Sequence, residues 1–210
     1  MDKYADRQEA GQILAKMLSA YANEPNTLIL ALPRGGVPVA YEIAKKLRLP
    51  LDVFLVRKLG VPGQEELAMG ALAMGGISFL NDQLIHDLDI SPAILKGVSL
   101  TETRELERRD KLYRGKRPFP LLKNKTLILV DDGIATGATL LAAIKALAQS
   151  NPAKIIVAVP VAEKSIIEKI TNQVAQVVCP LQPVDFYSVG HWYESFEQVS
   201  DEEVLALLKL

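Results

Sequence analysis

The run Leu127 to Thr139 (LILVDDGIATGAT) limits this chain more than any other stretch. It joins an apolar strand, a pair of carboxylates, a small-residue turn and a helix start in immediate succession. Leu127, Ile128, Leu129 and Val130 form a short continuous apolar run, the pattern of a strand covered on both faces of a parallel sheet. Asp131 and Asp132 follow at the strand end, the edge where open α/β sheets bind ligands. Gly133, Ala135, Gly137 and Ala138 keep side chains away from the backbone N–H groups, and Thr136 and Thr139 add hydroxyl donors. A helix beginning near Ala138 (ATLLAAIKALAQ) contributes unsatisfied N–H groups and the positive end of a dipole. Such a loop suits a phosphate.

The acidic pair needs a different partner, because two anions repel a phosphate unless they serve an uncharged group or a cation. A vicinal diol with Mg²⁺ meets both conditions: carboxylates accept from both hydroxyls and hold the metal directly or through water. A plain Asp-Asp-Gly turn would explain the glycine but neither the threonines nor the helix start. The segment resembles the phosphoribosyl diphosphate (PRPP) signature of the type I phosphoribosyltransferases: hydrophobic strand, two acidic residues and a Thr-Gly-x-Thr turn. That resemblance implies that Asp131 and Asp132 hold the ribose hydroxyls and magnesium, and that the loop from Gly133 through Ala135, Thr136, Gly137, Ala138 and Thr139 holds the 5′-phosphate. Two other phosphate motifs are absent: the loop has no Walker A lysine, and the chain has no G-x-G-x-x-G.

Composition sets outer bounds. With 210 residues, 49% of them hydrophobic, the chain can bury a substantial core as one domain. Its net charge of −1 gives no basic excess to recommend nucleic acid as the main partner. Cys179 is the single cysteine, which excludes an intrachain disulfide. The charged start (MDKYADRQEAG) has no apolar segment, and no apolar run reaches membrane-spanning length, so a cytoplasmic protein without membrane contact is expected.

Strand and helix patterns alternate along the chain. Arg7 to Ala22 carries a helical stripe. Thr27 to Ala31 reads as a strand, Val37 to Leu47 as a helix and Leu51 to Val56 as a second strand. Thr126 to Val130, Ile155 to Val159 and Val174 to Val178 supply three more strands, with helices at about 139 to 149 and 163 to 172. The expected fold is α/β, a doubly wound, mostly parallel sheet; the resemblance adds a Rossmann-like core with a small hood. Arg57 to Arg117 breaks the rhythm and is expected as a lid or hood insertion within one domain of residues 1–210, with 180–210 as a C-terminal hood segment. Within it, Glu102 to Arg117 mixes charge signs at helical spacing, the pattern of a solvated face. Arg108, Arg109 and Arg114 are candidates to meet a partner subunit.

Two further clusters sit after strands. Leu32-Pro33-Arg34-Gly35-Gly36 follows the first, where glycines let backbone fold around an anion and Arg34 offers a fork of donors. It resembles the family's diphosphate loop, which implies a non-proline cis peptide at or beside Arg34. Arg57-Lys58 follows the second strand and resembles the cationic pair of the adenine-type enzymes, with Glu65-Glu66-Leu67 beginning a flexible hood. The implied chemistry is displacement of diphosphate from PRPP by a nucleobase nitrogen. Arg34 and Lys58 stabilise the leaving group alongside Mg²⁺, and a lid over about 57 to 90 excludes water.

Ala135 stands where the hypoxanthine-guanine enzymes carry an Asp, which counts against a 6-oxopurine acceptor. Phe186 or Tyr187, in DFYSVGHWY, is the candidate to stack on the base, set against a core plug around Trp192. The family implies a homodimer and a role in nucleotide salvage. Two other readings of the motif are a non-catalytic PRPP-sensing regulator that binds nucleic acid or protein, and a small DNA-uptake accessory protein. Neither His86 nor His191 has metal spacing, and Cys179 reads as an inert core thiol.

Overall fold

The structure is a computed structural model that describes residues 3–209, apart from the side chains of residues 65 and 66. Glu65 and Glu66, expected at the start of the hood, therefore lie outside the described side chains. In chain order the elements are α1 (Arg7–Met17), β1 (Thr27–Ala31), α2 (Gly36–Leu47), β2 (Leu51–Val53), β3 (Val56–Val61), β4 (Gln64–Ala73), β5 (Ile77–Leu80), α3 (Asp82–Asp87) and α4 (Pro92–Arg114). They continue with β6 (Thr126–Val130), α5 (Ala138–Ala148), β7 (Lys154–Ala158), α6 (Lys164–Thr171), β8 (Gln176–Val178) and α7 (Asp201–Leu207). The chain forms two compact units: Met1–Val53, Leu122–Gly137 and Pro152–Leu210 in one, Phe54–Leu121 and Ala138–Asn151 in the other.

The first unit is built on a parallel five-stranded sheet of order β2-β1-β6-β7-β8. All five residues of β1 are buried, as are Leu127 to Val130 of β6, which is why both read as unbroken apolar runs. Alanine at Ile29, Leu30, Leu127 or Ile128, each fully covered, would cost about 2–5 kcal/mol. The chain moves from β1 outward to β2 and from β6 outward to β7 and β8, so the strand order reverses between β1 and β6. Those two strands pair in register, Ala31 opposite Val130. A crevice opens beyond the carboxyl ends of strands at such a reversal. α2 buries Val37, Val39, Ala40, Ile43, Ala44 and Leu47. α1 is capped by the Asp6 side chain, which accepts from Glu9 N; it stops at Met17, and Ser19–Tyr21 is a 3₁₀ turn, shorter than the helix expected to Ala22.

The second unit holds an antiparallel sheet of order β3-β4-β5, on which α5 packs. Its core gathers Leu59, Val61 and Met69, with Leu84, Ile85, Leu95 and Val98 packed against them. The apolar run from Leu51 is one strand only as far as Val53; Val56 already belongs to β3 of the other sheet. Arg57 and Lys58 therefore lie within an antiparallel strand and not at the carboxyl edge of the parallel sheet. Met69-Gly70-Ala71 is the interior of β4, with Met69 fully buried. α4 begins at Pro92, with Ser91 as its cap, well before the charged stretch. Its Arg114 is buried, not solvated: it donates to Pro118 O at 2.5 Å and lies over the Phe119 ring at 5.2 Å.

Candidate functional site

Because β1 and β6 are adjacent and in register, the loops that leave them emerge side by side. Leu32 N donates to Val130 O at 2.9 Å, which holds the two exits together. The next peptide, Pro33–Arg34, is cis, as expected from the resemblance. At Gly35 an added Cβ would collide with the Asp132 carboxylate, and at Gly36 it would lie 2.8 Å from Val130 O and 2.9 Å from Asp131 Cα. Only hydrogen fits at either place. The first loop is thus pressed against the acidic pair of the second.

Asp131 and Asp132 are held in a fixed relation, with Asp132 N donating to Asp131 Oδ1 at 2.9 Å. Burial pushes the Asp131 carboxyl well above the ordinary carboxylate range, and the neighbouring Asp132 charge pushes the same way. Asp132 is also raised by burial, against the pull of a cation that sequence reasoning overlooked. That cation is Arg7. Its Nε and Nη2 both lie 2.8 Å from Asp132 Oδ2, and the two side chains are only 12% and 15% exposed. Its Nη1 donates to Glu197 O at 2.8 Å, and its guanidinium sits 3.8 Å from the centre of the Phe196 ring.

The C-terminal segment supports this contact from behind. Tyr193 donates its hydroxyl to Asp132 O at 2.5 Å, and its ring lies 4.9 Å from Phe196 and 5.5 Å from Tyr4. Tyr4 pairs with Tyr193 in a parallel bridge and donates its hydroxyl to Pro160 O at 2.7 Å. Burial raises both phenols above their ordinary range, so they remain donors at neutral pH. The column Tyr4, Tyr193, Phe196, Arg7 and Asp132 thereby ties both ends of the chain to the acidic pair. The plug expected around Trp192 is centred on Tyr193, with Trp192, Phe186 and Val189 packed against it. Of the two stacking candidates, Phe186 belongs to this packing, whereas Tyr187 is 82% exposed.

A cleft of about 480 Å³ opens here, lined by Arg7, Arg34, Gly35, Asp132, Val189 and Phe196 among others. Arg34 Nη1 reaches Asp201 Oδ1 at 3.9 Å, a loose, partly solvated contact of little energetic weight. Beyond the acids, Gly133 is buried against Val161 and Val189, Ala135, Thr136 and Thr139 face solvent, and Gly137 turns the chain at φ 75 before α5 starts at Ala138. The structure therefore brings together Arg34, Gly35, Gly36, Asp131, Asp132 and Gly133. Arg57 and Lys58 belong to the second unit, where Arg57 Nε pairs with Glu102 Oε2 at 2.6 Å. Cys179 is buried, and that burial pushes its thiol up to about 12.

Neither Arg7 nor Tyr193 is marked by a motif, and Arg7 lies 125 residues from Asp132. One local signal existed: Arg7 opens a helix directly after its cap, a position where the dipole disfavours a cation unless an anion answers it.

A family model described as a phosphoribosyl transferase domain matches residues 2–190. Proteins of Mycobacterium tuberculosis strains H37Rv and CDC 1551, both provisionally named phosphoribosyl transferases, are 41% identical over 208 residues. The match takes in 99% of this chain and 47% of theirs, so the chain spans about half the length of these relatives. The crystal structure of TT1426 from Thermus thermophilus superposes with a TM-score of 0.89 at 39% identity, over 98% of this chain and 97% of that one.

Proposed function

Since the chain belongs to the phosphoribosyl transferase family, we propose that it transfers the 5-phosphoribosyl group of PRPP to a nitrogenous acceptor, with release of diphosphate. The observation that carries this reading is the contact between the two loops at the sheet reversal, where Gly35 abuts the Asp132 carboxylate. A ligand with a diol on the acids and a diphosphate on the Arg34 loop would span that contact. In this reading Asp131 and Asp132 accept from the ribose hydroxyls. Residues 133–139 present backbone N–H groups and the Thr136 and Thr139 hydroxyls to the 5′-phosphate, and Arg34 holds charge developing on the leaving diphosphate.

The acidic pair suits magnesium, which takes one or two carboxylates together with ligand oxygens and keeps several waters. Among the described residues no cluster of three His, Cys, Asp or Glu is found. When bound, magnesium would neutralise diphosphate. Arg57 and Lys58 as further diphosphate cations, and 57–117 as a lid, remain part of the proposal on the strength of the sequence resemblance. For the acceptor, Tyr187 is the more accessible aromatic. A nucleobase acceptor, a salvage role and a homodimer extend the same reading. Among the described residues no helix is long and apolar enough to cross a membrane.

The test is calorimetric titration with PRPP, with and without magnesium, followed by a screen of nucleobases for diphosphate release. Metal-dependent binding with turnover supports the transferase. Binding without turnover of any base favours a PRPP sensor, and no binding overturns the reading.

A further inference from the structure

Asp132 already has a resident cation. Arg7 places two donors on one carboxylate oxygen, and three independent features hold it there: the Glu197 carbonyl, the Phe196 ring face, and the Tyr4 to Tyr193 bridge that anchors the N-terminal segment. Its side chain is 12% exposed and lines the cleft. Both of its Asp132 contacts go to Oδ2, the oxygen on the Gly35 side. A planar fork fixes the carboxylate orientation as well as its charge, which a lysine cannot do.

We propose that Arg7 is a positioning residue that does at Asp132 the neutralising work of a metal ion, so that the sugar-phosphate half of the ligand binds without a divalent cation. This rests on the PRPP reading and divides its metal requirement: magnesium serves the diphosphate, and Arg7 serves the ribose side. Without Arg7, the Asp132 carboxylate would face the ligand uncompensated, and a divalent ion would have to take the place of the guanidinium.

Ribose 5-phosphate, which carries the diol and the phosphate but no diphosphate, separates the two roles. The wild-type protein is titrated with it in chelator and again in millimolar magnesium, beside Arg7→Gln, Arg7→Lys and Phe196→Leu. Thermal melts confirm that each variant is folded. Wild type is expected to bind equally with and without metal. Arg7→Gln should weaken metal-free binding about tenfold or more, as when a charged group loses its charge-assisted partner, and magnesium should recover most of that loss. Arg7→Lys should fall between, and Phe196→Leu, which removes only the ring that holds Arg7, should shift in the same direction by less. Metal rescue separates this role from a merely structural one, which would lower the fraction of competent protein whatever the metal. Unchanged affinity in Arg7→Gln, or a loss that magnesium does not restore, overturns the inference alone. Failure of the wild-type protein to bind either ribose 5-phosphate or PRPP overturns both it and the PRPP reading.

Discussion

On α4, Glu105 accepts from Arg108 at 2.8 Å and from Arg109 at 2.7 Å. Beyond β6, Asp132 accepts from Arg7 at 2.8 Å. The ingredients match, yet the carboxylates move in opposite directions. Glu105, in reach of solvent, is held down to about 2 by its two arginine hydrogen bonds. Asp132 stays above the ordinary range, because burial outweighs a bond of the same length. Arginine contact alone therefore does not mark a satisfied carboxylate. The covered site can still gain from hydrogen-bond donors, which is what a ligand site needs; the exposed one is already answered by its two arginines.

The largest expected effect tests whether that gain is used. Asp131→Ala with Asp132→Ala should weaken PRPP about a thousandfold in calorimetric titration, since hydrogen bonds to charged groups contribute about 1.5–3 kcal/mol each. Retained affinity would put the ligand elsewhere. Next in size is the contrast between the arginines. Arg7→Ala should destabilise the ligand-free protein by about 3 kcal/mol, by stranding a covered carboxylate, whereas Arg108→Ala should cost under about 1 kcal/mol. Equal losses in urea denaturation would remove burial as the distinguishing cause.

Asp131 sharpens the comparison with a reversed sign. Its carboxyl is raised in the folded protein, so the native state holds that proton more firmly than the unfolded chain does. The stability it contributes is complete below the ordinary carboxylate range and is lost as pH rises through the folded value. Asp131→Asn should therefore raise stability at pH 7 by about 1 kcal/mol in metal-free buffer while impairing ligand binding. The gain should vanish toward pH 4, and a gain independent of pH would refute the cause given.

Glu105 should show the smallest effect and the opposite slope. Its stabilisation is present above its ordinary value of 4.5 and fades as pH falls toward about 2. With solvent screening, Glu105→Gln should lose less than about 0.5 kcal/mol, and salt should shrink that further.

The two regions also differ in how far they could be read from sequence. β1 and β6 lay within the limits expected, because each is covered on both faces and each ends in residues that cannot continue a strand. Their loops were legible for the same reason. The junction near Val53 was not, since the apolar run Leu51 to Val56 continues across a change of sheet and hydrophobicity carries no sign of which sheet receives it. Arg114 was illegible for a related reason: a charge run at helical spacing looks solvated until Phe119 folds over it. Arg7 and Tyr193 reach Asp132 from opposite ends of the chain, and no local pattern records such a meeting. Phe186 and Tyr187, the aromatics proposed to stack on a base, are the least legible, because a stacking aromatic and a core aromatic have the same composition and differ only in what covers them.

Trp192 is the only tryptophan in the chain. Its indole Nε1–H is buried and meets no acceptor among the described residues, its ring stands edge-on to His191 at 5.6 Å, and it immediately precedes the tyrosine bonded to Asp132 O. The protein thus carries its own optical probe beside the acidic pair. Emission excited at the red edge should respond to occupation of that pair, giving a label-free readout of ligand entry in stopped flow.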